Sequence, residues 1–425
     1  MNTIIIYRRF AMAHLMMIES WVGASGNLLP PLLQLLGHKY TFVTRKPEHY
    51  QSAHSTEKHP VLGYADSVLV TETNDIPGLI EFLKPYRFDG VITVCDYYIE
   101  VAREVAKAFN LPCPFPAEVK TVRQKHLMRQ ALDRAGLSNP NYRLANSWTE
   151  AEEAAAAIGY PLVLKPVDLA SSAFVSLIQN GKELQGAYQA LEAFPLNFRD
   201  QQRDCTYLLE EYMNGEEVSV ESVSYYGETA ILGITDKSVT GTPYFIENGH
   251  MFPAKLSDET RIAVTQFVRD ALKAAGFDHG IAHTEVKLTA EGPRIVEINP
   301  RTAGNYIVEL IQRVTGIDLL QAFVDLSLGM EPVLAAKDCG IASAAVMFLV
   351  PPRSGTLTRT QGIESLESDE HVVRYKIENC TGKFIETPID NACYLGHVVT
   401  EDAVGLNARL YAEKALDRLI LSFDT

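Results

Sequence analysis

The chain has 425 residues, of which 47% are hydrophobic and 21% charged, and its formal net charge is −15 at pH 7. This length exceeds one ordinary hydrophobic core, so two to four domains of a folded, water-soluble protein are expected. The acidic balance argues against a nucleic-acid partner, because such a partner requires clustered lysines and arginines. It does not exclude phosphorylated ligands, since a pocket needs only a few local cations.

The first part of the chain, to about residue 115, alternates short apolar runs with a helical pattern, which predicts a small parallel α/β layer. The predicted strands are "TIIIY", "YTFVT", "DSVLV" and "DGVITVC", and "YYIEVAREVAKAFN" is a predicted amphipathic helix. The opening segment lacks the order of a signal peptide, because Arg8 and Arg9 follow an apolar run of only three residues. No stretch approaches 18 uninterrupted apolar residues, so no membrane span is expected.

Three closely spaced prolines, Pro112, Pro114 and Pro116, indicate a boundary. Beyond them a helix is predicted to open at Lys125 and to end at Gly136. "YPLVLKPVDLASSAFVSLI" is typical of strand, loop and strand, and "TYLLEEYMNGEEVSVESVSY" is strand-like around an Asn-Gly turn. Near the end, "SAAVMFLV", "VVRYKIE" and "CYLGHVVT" with a final helix "GLNARLYAEKALDRLILSF" predict a smaller α+β unit.

The cysteines show neither a C-x-x-C pair nor the spacing of metal ligands. Isolated buried thiols in a reducing cytoplasm are therefore expected rather than disulfides. The residues concerned are Cys95, Cys113, Cys205, Cys339, Cys380 and Cys393.

A predicted hairpin, "HTEVKLTAEGPRIVEINPR", carries carboxylates on both of its strands. Such charges usually lie on a solvated face of a half-buried strand. Alternatively, oxygen ligands from two neighbouring strands suit a magnesium ion. Strict alternation predicts that His283, Glu285 and Lys287 share one face of the first strand, and that Ile295, Glu297 and Asn299 share one face of the second.

Upstream of this hairpin lie features that could bind a nucleoside triphosphate. Lys125 and Lys165 together with a metal would neutralise the phosphates, and the small-residue loop 170–173 could present backbone N–H groups to them. No G-x-x-x-x-G-K-[ST] sequence is present, so a P-loop is excluded. The fragment "GASG" at 23–26 lies too far from the predicted first strand to be a Rossmann fingerprint.

In this order, the two lysines, "DLASSA", "LEEYMNGEE" and the hairpin resemble the ATP-grasp superfamily. The resemblance implies a mixed α/β and α+β protein. Its expected parts are an N-terminal Rossmann-like domain at 1–117, an ATP-grasp domain at 118–331 with a mobile flap at about 146–212, and a C-terminal α+β subdomain at 332–425.

The same resemblance assigns roles to individual residues. It implies phosphate contacts for Lys125, Lys165, Ser171 and Ser172, adenine contacts for Glu210, Tyr212 and Met213, a ribose contact for Glu217, metal ligation by Glu285, Glu297 and Asn299, and an acyl-phosphate contact for Arg301. The loop departs from the usual Gly-rich pattern, because "KPVDLASSAFVSLI" has no glycine and its β-carbons restrict positive φ angles.

"LASS", "AHTEVKL" and "RTAGNYI" look like L-amino acid ligases of the bacilysin and dapdiamide type. That family joins an amino acid or acyl-amino acid to an amino acid through an acyl-phosphate, using ATP and Mg²⁺, for which Mn²⁺ is a possible substitute. It implies that Glu247 holds the first substrate's ammonium group, that His250 bonds its carboxyl or oxyanion, and that Asn305 and Tyr306 line the second pocket. Without the family resemblance, His250 is expected to be an ordinary surface or core histidine in a loop. Tyr306 is equally well explained as a core residue. A cytoplasmic homodimer acting on small molecules is expected.

A kinase-like use of this fold would have no need for Arg301 at the acyl centre. Two other functions share this core. A carboxylase of the biotin or purine type is one, although no biotinyl-carrier Ala-Met-Lys-Met segment follows. A nucleotide-binding protein without turnover is the other, and the complete set Glu285, Glu297, Asn299 and Arg301 argues against it. Nothing resembles the G-x-S-x-G of hydrolases or the H-E-x-x-H of zinc peptidases.

Overall fold

A computed structural model describes residues 12–23, 25–51, 58–240, 244–389, 391 and 393–424. The chain forms two compact units, one of residues 1–115 with 320–333 and the other of residues 116–319 with 334–425. The division at 1–117, 118–331 and 332–425 remains a prediction.

The first unit is built on a parallel sheet with the strand order β3-β2-β1-β4. Its central strand is buried from Leu15 to Ile18, as expected for a parallel sheet whose faces are both covered. The elements are β1 (His14–Ile18), α1 (Ser25–Leu35), β2 (Lys39–Thr44), α2 (Pro60–Gly63), β3 (Ser67–Val70), α3 (Ile76–Leu83), β4 (Gly90–Ile92), α4 (Ile99–Phe109) and most of the later helix α11 (Leu319–Ser327).

The structure places an unpredicted strand at the start of this unit. "HLMMI" forms β1, whereas the predicted strand "TIIIY" lies outside the described residues. The sequence argument about Gly23 to Gly26 was wrong in its premise, since α1 begins at Ser25, soon after β1 ends at Ile18. The other predicted strands and the helix α4 are confirmed.

The second unit contains three further sheets among the described residues. We call β5-β8-β6-β7 the flap sheet, β13-β12-β9-β10-β11-β14-β18-β16 the site sheet, and β17-β15-β19 the small sheet. The elements are α5 (Val119–Arg123), α6 (Lys125–Arg134), β5 (Tyr142–Ala145), α7 (Trp148–Ile158), β6 (Leu162–Pro166), β7 (Ser176–Ile178), α8 (Gly181–Glu192), β8 (Tyr207–Glu211), β9 (Glu216–Tyr225), β10 (Glu228–Thr240), β11 (Ile246–Phe252), α9 (Asp258–Ala274), β12 (Gly280–Thr289), β13 (Gly292–Asn299), α10 (Ile307–Thr315), β14 (Ser343–Phe348), β15 (Gly355–Gln361), α12 (Glu364–Glu367), β16 (Val372–Ile377), β17 (Phe384–Ile385), β18 (Gly396–Asp402), α13 (Ala408–Leu416) and β19 (Ile420–Asp424).

The flap sheet and the site sheet have separate hydrophobic cores. Helices α7 and α8 bury Ala151 and Leu184 against the flap sheet. Helices α6 and α9 bury Leu132 and Val268 against one face of the site sheet. The other face of the site sheet is therefore left for polar side chains. The Asn-Gly turn carries the chain from one sheet to the other, and Gly215 is required there because a β-carbon would lie 2.2 Å from a backbone oxygen.

Two sequence predictions are corrected at the level of the fold. The final helix was predicted to reach residue 423, but α13 ends at Leu416 and the apolar run after it forms β19, which pairs with β15. No disulfide joins any of the six cysteines, as expected, but Cys205 and Cys339 are exposed rather than buried. Among the described helices, none combines the length and apolar character that crossing a bilayer requires.

Candidate active site

The polar face of the site sheet is assembled by strand register. Residues paired across antiparallel strands project to the same side. One row of paired residues crosses the four neighbouring strands β12, β9, β10 and β11. In that order, the row consists of Lys287, Glu217, Lys237 and His250. A neighbouring row contains Glu297, Glu285 and Ser219, so the two hairpin carboxylates face each other. The solvated-face interpretation of the hairpin is therefore wrong, since the Glu285 side chain is only 15% exposed.

A β-bulge in β13 sets which side chains reach this face. Glu285 pairs with Glu297, but the next pair is Val286 with Ile295, so Val296 is left over. The strict alternation predicted for this strand was wrong, because Ile295 and Ile298 both lie in the hydrophobic core while Val296 lines the cavity with Glu297. An inserted residue shifts the alternation by one, which regular periodicity cannot anticipate.

The two predicted phosphate lysines approach the site from different elements. Lys125, the first residue of α6, is buried and its Nζ lies 2.9 Å from Glu297 Oε2 and 3.1 Å from the Leu169 carbonyl oxygen. Lys165, near the end of β6, is ion-paired with Glu210. Burial lowers the pKa of Lys165, and the Glu210 charge opposes that shift.

A fully buried arginine that the sequence did not reveal lies beside them. Arg129 stands one turn after Lys125 on α6, and its Nε lies 2.6 Å from Glu210 Oε1. Burial acts to raise the pKa of Glu210, but Arg129 and then Lys165 lower it to about 2. Glu210 is therefore ionised, and each of its carboxylate oxygens is paired with one cation: Oε1 with Arg129 and Oε2 with Lys165.

Another buried cation that the sequence did not reveal is Lys237 of β10, which contacts three carboxylates. Its Nζ lies 2.7 Å from Glu285 Oε1, 3.0 Å from Glu217 Oε1 and 3.0 Å from Glu247 Oε1. Burial acts to lower the pKa of Lys237, but Glu247 and Glu285 raise it well above its ordinary value. Sequence reasoning missed this residue because nothing local distinguishes "TDKSV" from a solvated strand.

His283 is held between two carboxylates on the same face. Its Nδ1 lies 2.7 Å from Glu221 Oε1, and its Nε2 lies 3.3 Å from Glu285 Oε1. Burial acts to lower the pKa of His283, but the buried Glu221 overrides it and raises the pKa to about 9. The protonated imidazole thus fixes the orientation of Glu285.

The predicted metal ligands fit a magnesium ion that also binds phosphate. Burial acts to raise the pKa of both hairpin carboxylates, yet Lys237 lowers that of Glu285 and Lys125 lowers that of Glu297, so both are ionised. The Asn299 amide donates to Glu297 over 2.8 Å. In the described part of the chain, no group of three His, Cys, Asp or Glu side chains is placed to hold a metal alone. Two carboxylates and an amide match Mg²⁺, which retains waters and is completed by phosphate oxygens.

The predicted phosphate loop, together with Phe174 just after it, adopts the conformation that the lack of glycine was expected to restrict. Ser171, Ser172 and Phe174 have φ angles of 59°, 56° and 59°. For residues with a β-carbon, this left-handed region costs about 1–2 kcal/mol each. Such strain is commonly found at ligand-binding loops.

Two of the predicted substrate residues, Asn305 and His250, lie beside Glu247 on β11. Its carboxylate accepts a hydrogen bond from Asn305 and lies near Lys237, which lowers its pKa well below the ordinary value against the effect of burial. His250 lies in the strand rather than in a loop. Its Nε2 is 3.3 Å from Glu247 Oε2 but out of hydrogen-bonding geometry, and both ring nitrogens are buried without a hydrogen bond from the described residues.

The C-terminal segment also contacts this strand. The Tyr394 hydroxyl donates to the Glu247 carbonyl oxygen over 2.7 Å, and the Asn391 side chain accepts from the Glu247 N–H over 3.0 Å. The ring centroid of Tyr306 lies 4.5 Å from that of His397. Arg301, just after β13 ends at Asn299, donates a hydrogen bond to the Thr302 carbonyl oxygen.

A cavity between the flap sheet and the site sheet is lined by most of the sequence-predicted residues. Apolar side chains such as Val163, Leu169 and Val296 provide walls suited to a flat ring. The sequence-predicted residues that line it are Lys125, Lys165, Ser172, Glu210, Tyr212, Met213, Glu217, Glu247, Glu285 and Glu297. The sequence-predicted residues that do not line the cavity are Ser171, His250, Asn299, Arg301, Asn305 and Tyr306.

Comparison with protein families agrees with this arrangement. Residues 158–309 match the family model described as an ATP-grasp domain, and residues 347–423 match that of L-amino acid ligase C-terminal domain 2. The chain therefore contains an ATP-grasp domain and an L-amino acid ligase C-terminal domain. Its catalytic fold and its C-terminal domain therefore both have relatives among ATP-dependent ligases.

Individual relatives differ in the share of their own length that matches this chain. Carnosine synthase 1 of Gallus gallus is 29% identical over 72% of this chain, which corresponds to 35% of that longer protein. Alanine–anticapsin ligase of Bacillus amyloliquefaciens is 24% identical over 79% of this chain and 76% of its own length.

Solved structures confirm the mixed α/β ATP-grasp fold. The L-amino acid ligase of Bacillus licheniformis superposes with a TM-score of 0.80 at 23% identity, covering 97% of this chain and 99% of that chain. A biotin carboxylase domain from Hydrogenobacter thermophilus gives a TM-score of 0.70 at 15% identity, covering 97% of this chain and 92% of that chain. Carboxylases thus share the fold at a greater distance.

Proposed function

We propose that this ligase joins the carboxylate of an amino acid or acyl-amino acid to the amine of an L-amino acid, with ATP as the phosphoryl donor. The observation that carries the proposal is the convergence of Lys125, Lys165, Glu285 and Glu297 on one cavity. The carboxylate of Glu247, whose side chain is 15% exposed, lines the same cavity. Cations, hard oxygen ligands and an ammonium-binding group then lie within reach of one another.

Reaction would proceed in two steps. A carboxylate oxygen of the first substrate attacks the γ-phosphorus and ADP leaves. The amine nitrogen of the second substrate then attacks the acyl carbon, phosphate leaves and the nitrogen gives up a proton. Phosphorylation replaces a poor leaving group with a good one, and the flap of residues 146–212 would keep water from the acyl-phosphate.

Each group of residues has a part in binding. Lys125, Lys165 and the loop serines would hold the phosphates. Glu210, Tyr212 and Met213 would meet the adenine, and Glu217 the ribose. Glu285, Glu297 and Asn299 would hold Mg²⁺, which when bound supplies charge that stabilises the transferring phosphoryl group.

On the substrate side, Glu247 would bind the ammonium group of the first amino acid. His250, whose ring nitrogens have no hydrogen bond from the described residues, would donate to its carboxyl group. Arg301 would stabilise the acyl-phosphate and the tetrahedral intermediate, while Asn305 and Tyr306 would line the pocket of the second amino acid. We also propose a cytoplasmic homodimer, which light scattering on the purified chain would test.

The decisive experiment is a screen of amino-acid and acyl-amino-acid pairs, scored by phosphate release and by mass detection of the product. We expect ADP, phosphate and an amide in equal amounts from at least one pair. Omitting the amine separates a ligase from a kinase, which would still form a stable phosphorylated product. Bicarbonate-dependent phosphate release without an amide product would instead favour the carboxylase, and no nucleotide turnover with any pair would favour a binding protein.

A further inference from the structure

The bulge of β13 lies on the edge strand of the site sheet, and its backbone accepts hydrogen bonds from a side chain of another element. The extra residue in β13 interrupts its regular pairing with β12, and β13 has no neighbouring strand on its other side among the described residues. An unpaired carbonyl away from water is costly, so such groups are nearly always satisfied by another donor. Here the donors come from the guanidinium of Arg129.

Arg129 contacts both residues of the bulge. Its Nη1 donates to the Ile295 carbonyl oxygen over 2.7 Å, and its Nη2 donates to the Val296 carbonyl oxygen over 3.3 Å. The third nitrogen, Nε, is the one bonded to Glu210. One planar group therefore ties strand β8 of the flap sheet to the bulge of the site sheet.

We infer that Arg129 is a positioning residue that fixes the β13 bulge, and with it Glu297, to the nucleotide-binding carboxylate Glu210. The inference rests on the proposed function and extends it to a residue outside the predicted set. Without the bulge, Glu297 would lie on the same face as Ile295, which is in the core. The guanidinium thus decides that the carboxylate faces the cavity.

Lysine cannot replace this arrangement, even though it keeps the charge. Arginine offers donors in a fixed planar fork, whereas the lysine ammonium is a single point on a flexible stem. Arg129→Lys can pair with Glu210 or reach one carbonyl group, but it cannot span all three acceptors. We expect a loss in nucleotide and metal affinity with little effect on the amino-acid sites.

The test compares wild type, Arg129→Lys and the matched control Arg134→Lys, whose arginine lies exposed on the same helix. Three quantities are measured: the ADP dissociation constant by calorimetry without added metal, the Mg²⁺ concentration for half-maximal phosphate release, and the KM of each amino acid. For Arg129→Lys we expect the first two to rise by about 10–100-fold, as for other residues that orient ligands. The amino-acid KM values should stay within about twofold. The control should match wild type throughout.

An Arg129→Lys protein with a lower melting temperature but unchanged ADP and Mg²⁺ affinities would reduce Arg129 to a structural role and overturn the inference. Failure of Arg129→Lys to fold would overturn it as well, because the residue would then be needed for folding rather than for orientation. If wild type itself binds no ADP and releases no phosphate, the proposed function fails independently.

Discussion

Replacing Lys237 by methionine removes an ammonium group that three carboxylates of the site share, while it keeps the aliphatic stem. The side chain is only 1% exposed, so water cannot replace the lost charge. Removing one partner of a buried ion pair costs about 3–5 kcal/mol. Glu217 still has Lys287 at 3.1 Å and Glu285 still has His283 at 3.3 Å, so we expect the lower end, a loss of about 3 kcal/mol in the free energy of unfolding.

The same substitution should change the dependence of stability on pH. Lys237 has a raised pKa, so its contribution is complete below its ordinary pKa of 10.5 and constant through the neutral range. Glu247 and Glu285 have lowered pKa values, so their contribution is present above their ordinary pKa of 4.5 and is lost as the pH falls through the folded-state values. The difference between wild type and variant should therefore be constant through the neutral range and should narrow as the pH falls below 4.5.

Urea denaturation followed by circular dichroism at several pH values would measure this. The matched control is Lys287→Met, which removes a lysine that contacts Glu217 but leaves Lys237 in place, with an expected loss of about 1 kcal/mol. Equal losses in the two variants, or a wild-type urea midpoint for Lys237→Met, would refute the reasoning about the shared cation.

Three further substitutions test the assigned roles. Glu297→Gln keeps the shape of a metal ligand but removes its charge, so we expect a folded protein whose ADP release falls at least about a hundredfold, and near-normal turnover would remove Glu297 from the metal site. Arg301→Ala should cost about 3 kcal/mol of transition-state stabilisation, read as kcat for amide formation, and an unchanged amide yield would contradict its role. Tyr394→Phe deletes the hydrogen bond to the Glu247 carbonyl oxygen, so the KM of the first amino acid should rise about 2–10-fold at constant KM for ATP, whereas equal changes in both would place the effect elsewhere.

Sequence reasoning identified the site residues that stand in short, recognisable sequence segments. Lys125, Lys165 and the two hairpin carboxylates stand in short segments whose order along the chain is itself informative, and the structure brings them to one cavity. Their assigned roles stay predictions. Arg129 and Lys237 escaped notice because a cation on a helix or a strand is ordinary in sequence, and only burial against carboxylates makes it exceptional.

The errors in secondary structure have a similar origin. The run after α13 looked helical because it continues an amphipathic pattern, yet β15 offers a pairing edge that converts Ile420 to Asp424 into β19. The positive φ angles of Ser171 and Ser172 were not expected because the local penalty argues against them. Surrounding structure can impose such conformations where local preference is weak.

The sequence by itself determined the α/β pattern of the first part of the chain and the α+β pattern of the last part. It also determined the order of the predicted nucleotide-binding segments and the chemical types of the site residues, because periodicity and residue chemistry act over a few positions. Only the tertiary structure decided which carboxylate meets which cation, since such pairs join residues that are far apart in the chain, as when Arg129 contacts Glu210, which lies 81 positions later. Electrostatic energy depends on separation in space and on exclusion of water. Neither quantity is written in the spacing of residues along the chain.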